Sequence, residues 1–123
     1  MDYRQLVRMI AAGRVVVGAT LTLAPGFAGG QWVGDVARRK DAQVMIRAMG
    51  VRDMALGAGA LQALSTGAPV RSWVLMGALS DVIDFGATAL ALRQLGARRA
   101  LPVLVVAATA ATIGALSADQ LDD

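Results

Sequence analysis

Six charged side chains interrupt otherwise apolar stretches of this chain: Arg14, Arg47, Arg52, Asp53, Asp81 and Asp84. An ionised group inside a bilayer is expensive and persists where it pairs or works. Three of the six are cationic and three anionic, so a cluster holding all of them would be neutral. The chemistry open to it is narrow, because the sequence has no Cys, His or Glu. Disulfides and thiolate centres are excluded, and acid–base or metal chemistry would fall to Asp alone. No catalytic residue, metal site or cofactor is therefore expected. Two uses of the cluster remain. One is an internal Arg–Asp network that fixes helix register. The other is a small proton-linked transporter in which Asp81 or Asp84 is not permanently paired and carries the proton. An enzyme acting on a lipid through one Asp has the least to rest on.

Such a cluster needs helices to hold it, and the composition supplies them. Of 123 residues, 56% are hydrophobic and only 17% charged, with aromatics at 4%. The apolar mass is Ala, Val, Leu and Gly, and small residues let helices approach closely where lipid removes the hydrophobic drive between them. Net charge is +3, with Lys40 the one basic residue that is not Arg. No basic stripe is interleaved with aromatics, so nucleic acid is not an expected partner. The basic residues sit in or beside hydrophobic segments, which points to a lipid bilayer and its anionic headgroups. Met1–Arg8 followed by apolar residues has the outline of a signal peptide. Arg14 breaks the hydrophobic region and no small-x-small cleavage site follows, so an uncleaved first span is expected.

Four spans are expected, at about 6–24, 42–64, 73–92 and 100–118, giving an all-α, four-helix transmembrane bundle in one integral membrane domain. Pro25-Gly26 ends the first, and the loop after it carries Trp32 as an interface anchor. The fourth has no charge over its length and meets the spanning criterion unaided. In the second, Arg47, Arg52 and Asp53 would cost roughly 6–9 kcal/mol to insert, against ~3 kcal/mol returned by its large apolar residues. The third falls short by less. The two are expected to enter as one hairpin whose charges compensate. Loops 25–41 and 93–99 carry Arg38, Arg39, Lys40, Arg93, Arg98 and Arg99, against Arg4, Arg8 and Arg71 on the other side. Lys and Arg favour the cytoplasm, so a multi-pass cell-membrane protein with both termini outside is expected. The closing stretch from Asp119 to Asp123 is acidic and expected in water.

Folding the second and third segments about Ala68 puts Arg52 and Asp84 each sixteen residues from the bend, at one level. Asp53 then falls beside Ile83, and Arg47 lies about 7.5 Å nearer the cytoplasm, where it can snorkel. Gly77, Asp81, Asp84 and Thr88 follow helical steps of four, three and four, as Arg14, Gly18 and Thr22 follow steps of four. Thr109 and Thr112 offer hydroxyls from the fourth span, and Ala55/Gly59 and Gly59/Ala63 are small-xxx-small pairs on the second.

Gly50-Val51-Arg52-Asp53, followed by Gly57, Trp73, Asp81 and Asp84, resembles a family of small bacterial four-span membrane proteins of unknown function. The resemblance implies a four-helix membrane fold with Arg52, Asp53, Asp81 and Asp84 as its polar positions, and it implies no activity. Small multidrug transporters are similar in size and span number, but they use a membrane acid where this chain has Arg14. Fluoride channels are similar in length, yet their aromatic box is hard to build from Phe27 and Phe85. The expected function is thus a non-enzymatic accessory or assembly subunit, in a homo-oligomer or a larger membrane complex.

Overall fold

A computed structural model describes residues 2–121. It is 90% helical, and no strand occurs among the described residues. Helix α1 spans Tyr3–Leu23, α2 Pro25–Val33, α3 Lys40–Thr66, α4 Arg71–Leu90, α5 Leu92–Leu95 and α6 Ala97–Ala118, with a 3-10 turn at Gly34–Arg38. Asp2 caps α1, accepting a hydrogen bond from the Arg4 amide at 2.7 Å. Gly67 closes α3 at φ 72°, a left-handed conformation that costs glycine least.

Helices α1, α4 and α6 are each long and apolar enough to cross a membrane. These three helices are consistent with an integral membrane protein. Helix α3 is the longest at 27 residues, but Arg47, Arg52 and Asp53 keep it from qualifying on composition. The region 25–41, expected as a loop, is mostly helical. Pro25 suits the first turn of a helix, where its missing N–H has no partner to lose.

The long helices associate as two tight pairs, α1 with α3 and α4 with α6, joined by much thinner contacts of α3 with α4 and of α1 and α2 with α6. The α1–α3 contact is built on glycine. A Cβ added at Gly50 would come within 2.9 Å of the Thr22 amide nitrogen, and one at Gly18 within 2.7 Å of the Met54 nitrogen. Gly57 touches the Ala11 carbonyl in the same way. The expected small-xxx-small pairs are not this seam, because Ala55 points outward and Gly59 receives the Trp73 ring.

Two apolar clusters form along the bundle. One gathers Val7, Ala11, Ala60, Leu64, Val70 and Val74 near the α3–α4 turn. Leu121 joins it at 6% exposure, so the closing stretch folds back rather than standing wholly in water. Asp122 and Asp123 lie outside the described residues. The other cluster gathers Leu21, Ala37 and Ile46 beside α2. Large apolar residues crowd the outer surface instead, among them Val16, Val17, Ile83, Leu90, Val105 and Val106. This inside-out pattern suits a surface solvated by lipid tails.

Candidate functional site: an interhelical Arg–Asp network

Between the two apolar clusters lies a polar layer contributed by α1, α3 and α4. Arg14 projects from α1 into a space that two glycines leave open. A Cβ on Gly57 would lie 3.1 Å from the Arg14 Cβ, and one on Gly77 would lie 3.0 Å from its Nη2. The guanidinium donates to Asp81 on α4 in a close contact and reaches Asp53 on α3 at 3.5 Å. Arg52 donates through both terminal nitrogens to Asp84, at 3.2 Å to Oδ1 and 2.8 Å to Oδ2. Such a forked pair fixes geometry as well as charge. Arg52 Nη2 also reaches Asp53 Oδ1 at 3.3 Å. Asp53 therefore bridges the two arginines, and the five side chains run Asp81–Arg14–Asp53–Arg52–Asp84.

The helical step explains this order. Arg52 and Asp53 are successive residues about 100° apart around α3. One can face α4 while the other faces α1. The expected neighbourhood of Asp53 and Ile83 is replaced by the contact with Arg14, and Ile83 is 59% exposed. Asp53 and Asp81 are buried, while Arg14, Arg52 and Asp84 are partly buried.

Arg47 does not join them. It is exposed, and its Nε donates to the Thr22 carbonyl at 3.1 Å. Five residues before Arg52 is about 140° around the helix as well as 7.5 Å along it, which turns Arg47 away from the network. Its departure changes the charge count. Two guanidiniums now face three carboxylates, so the layer with every group ionised carries −1. The Arg52 Nε is also buried without a hydrogen-bond partner.

The face Gly77–Asp81–Asp84–Thr88 turns into the bundle, with Thr88 at 2% exposure. Thr88 Oγ1 accepts from Trp32 Nε1 at 3.0 Å, so Trp32 is tied to α4 rather than being a free interface anchor. Trp32 was legible as an aromatic in a glycine-rich segment, but nothing in its spacing linked it to Thr88. Thr109 and Thr112 are exposed, and Thr112 bonds the Ala108 carbonyl of its own helix. Helix α6 thus adds no hydroxyl to the layer from these positions. Arg71 donates to the Ala118 carbonyl at 3.1 Å, closing the end of α6, a contact that sequence spacing did not suggest.

A narrow cleft of about 30 Å³ reaches Arg14 between Val7, Ala11, Trp73, Gly77 and Gly114. It has room for about one water molecule. Among the described residues no group of acids is arranged to hold a metal ion. No family model, curated protein or solved structure matches the chain.

Proposed function

We propose that this protein is a non-enzymatic, multi-pass subunit of the cell membrane that acts in assembly. In this reading α3 crosses the bilayer as a fourth span, and the Arg–Asp layer locks α4 against the α1–α3 pair. The connecting segments 25–41 and 93–99 face the cytoplasm. One observation carries the proposal: of the three α3 charges that weigh against insertion, Arg52 and Asp53 are turned inward and paired, and Arg47, exposed, lies nearest the expected cytoplasmic end, where it can snorkel. From Ala48 to Leu61 the exposed residues of α3 are Ala48, Val51, Ala55 and Ala58. That outer face is apolar for about 21 Å at 1.5 Å per residue. Gly13 on α1 and Gly86 on α4 have open space where a Cβ would stand, which favours close contact with further helices, from another copy or another subunit. The resemblance through Gly50-Val51-Arg52-Asp53 agrees with four spans and adds no activity.

A coupling experiment on Arg52 and Asp84 tests the lock. Asp84→Asn lowers the folded fraction in bicelles, and adding Arg52→Gln restores part of it. Additive losses would remove the pair as a lock.

A second reading, proton-linked transport, has one observation in its favour. The layer holds one more carboxylate than guanidinium, and a single proton on Asp81 or Asp84 would balance it. Purified protein in liposomes, followed over a pH series, tests this reading. Flux unchanged in the Asp81→Asn, Asp84→Asn double variant would eliminate it.

A further inference from the structure

At the end of the bundle where α2 meets the start of α6, a groove of about 190 Å³ opens, lined mainly by polar surface. Gly26, Gly30 and Gly34, four residues apart, line one side, so no side chain fills the space from there. Arg38 and Arg99 bring two guanidiniums to it from different elements. Gly34 positions the second. Its φ of 75° and ψ of −149° require glycine, and a Cβ there would lie 3.1 Å from the Arg99 Cζ and 3.3 Å from Nε and Nη1. The Arg99 head therefore rests against the bare backbone of the turn.

Neither guanidinium is satisfied internally. Among the described residues, Arg38 and Arg99 form no ion pair and no side-chain hydrogen bond, although Asp35 lines the same groove. Arg39 next door differs: it pairs with Asp41 at 2.6 Å and holds that carboxyl below its usual range. Six basic residues (Arg38, Arg39, Lys40, Arg93, Arg98 and Arg99) share this end with two acids, Asp35 and Asp41. The groove sits where α1 and α4 finish and α6 begins, at the headgroup level of a bilayer these helices would cross. Phe27, 71% exposed, supplies an aromatic edge beside it.

We propose that the groove binds the headgroup of an anionic phospholipid of phosphatidylglycerol type. Arg38 and Arg99 take the phosphodiester, and Asp35 accepts hydrogen bonds from the headgroup hydroxyls. The surplus of positive charge selects a net anionic headgroup over a zwitterionic one. The proposal rests on the helices crossing a bilayer. It does not rest on the Arg–Asp layer, so failure of the Arg52–Asp84 coupling leaves it standing.

The test follows the thermal transition of the full chain in detergent, by Trp fluorescence, as dioleoylphosphatidylglycerol is titrated in. Parallel arms use dioleoylphosphatidylcholine, dioleoylphosphatidylethanolamine and inorganic phosphate. Phosphatidylglycerol alone should raise the transition strongly. Arg38→Gln with Arg99→Gln should weaken its apparent affinity by about tenfold or more, because charge-assisted hydrogen bonds are lost. Arg93→Gln with Arg98→Gln removes the same net charge outside the groove and should leave most of the affinity. Both Arg38 and Arg99 are exposed, so the double variant should melt normally without lipid. Equal losses in the two double variants would overturn the site in favour of diffuse attraction. An equal response to the zwitterionic lipids would overturn the selectivity, and a response to inorganic phosphate alone would overturn the lipid source.

Discussion

The α1–α3 pair and the α4–α6 pair are both close, but they are close for different reasons. Gly18, Gly50 and Gly57 bring the α1 and α3 backbones into direct contact, and the pair carries Arg14, Arg52 and Asp53 at its inner edge. Helices α4 and α6 meet through small side chains, with Gly114 over Ala78, and α6 places no charge in the polar layer. Among the described residues, every ion pair that joins the two halves runs from α1 or α3 to α4: Arg14 to Asp81 and Arg52 to Asp84. They sit between the halves, where packing is thinner than within either pair. Dispersion holds each half together, because lipid tails offer no hydrophobic drive between helices. Between the halves, these ion pairs add to the apolar packing of Val7, Ala11, Ala60 and Leu64 against Val70 and Val74.

That contrast can be broken from either side. Arg14→Leu should be the most damaging change, since it strands Asp81 in a buried layer and leaves Asp53 with Arg52 alone. Removing one partner of a buried pair costs about 3–5 kcal/mol, readable as loss of folded protein in bicelles. Adding Asp81→Leu should recover part of it. Gly50→Val attacks the other kind of contact, forcing α1 and α3 apart at the Gly18 and Thr22 backbone. Overpacking of this sort costs about 1–3 kcal/mol, and no charge change should rescue it. Thr88→Val keeps the shape and removes the acceptor for Trp32, for roughly 1 kcal/mol and a shift in Trp fluorescence. Gly114→Ala should be the mildest, because its new Cβ is tight only against the Ala78 Cβ, at 3.2 Å, meets the Val74 carbonyl oxygen and Ala78 Cα at ordinary distances of 3.7 and 3.8 Å, and gains helix propensity that offsets the strain. If Gly114→Ala proved as harmful as Gly50→Val, the two pairs would not differ as described.

Much of this was legible from residue type and spacing. The four long helices lie within a few residues of the apolar stretches at 6–24, 42–64, 73–92 and 100–118. Counting sixteen residues either side of Ala68 puts Arg52 level with Asp84, and the two are hydrogen-bonded. Height along a helix follows from residue number alone. Direction around it was harder to read where several neighbours competed. Arg47 belongs to the same helix as Arg52 but points elsewhere, and Asp53 chooses α1 over α4. The α1–α3 seam was missed because glycine and alanine are common throughout the chain. Only the partner backbone distinguishes Gly50 and Gly57 from Gly59. Helix α2 was hidden by its own glycines, which read as loop until tertiary contact with α1, α3 and α6 held them in a helix.

Helix α3 crosses the lipid, on this reading, with Arg52 and Asp53 turned inward, and the absence of native cysteine makes a direct measurement possible. Ala55→Cys and Ala58→Cys place single thiols on the outer face of α3, with Ser65→Cys as an exposed reference near its end. In proteoliposomes treated with a membrane-impermeant maleimide from both sides, the account predicts labelling at position 65 and none at 55 or 58. Labelling at 55 and 58 as fast as at 65 would put α3 in water and contradict it.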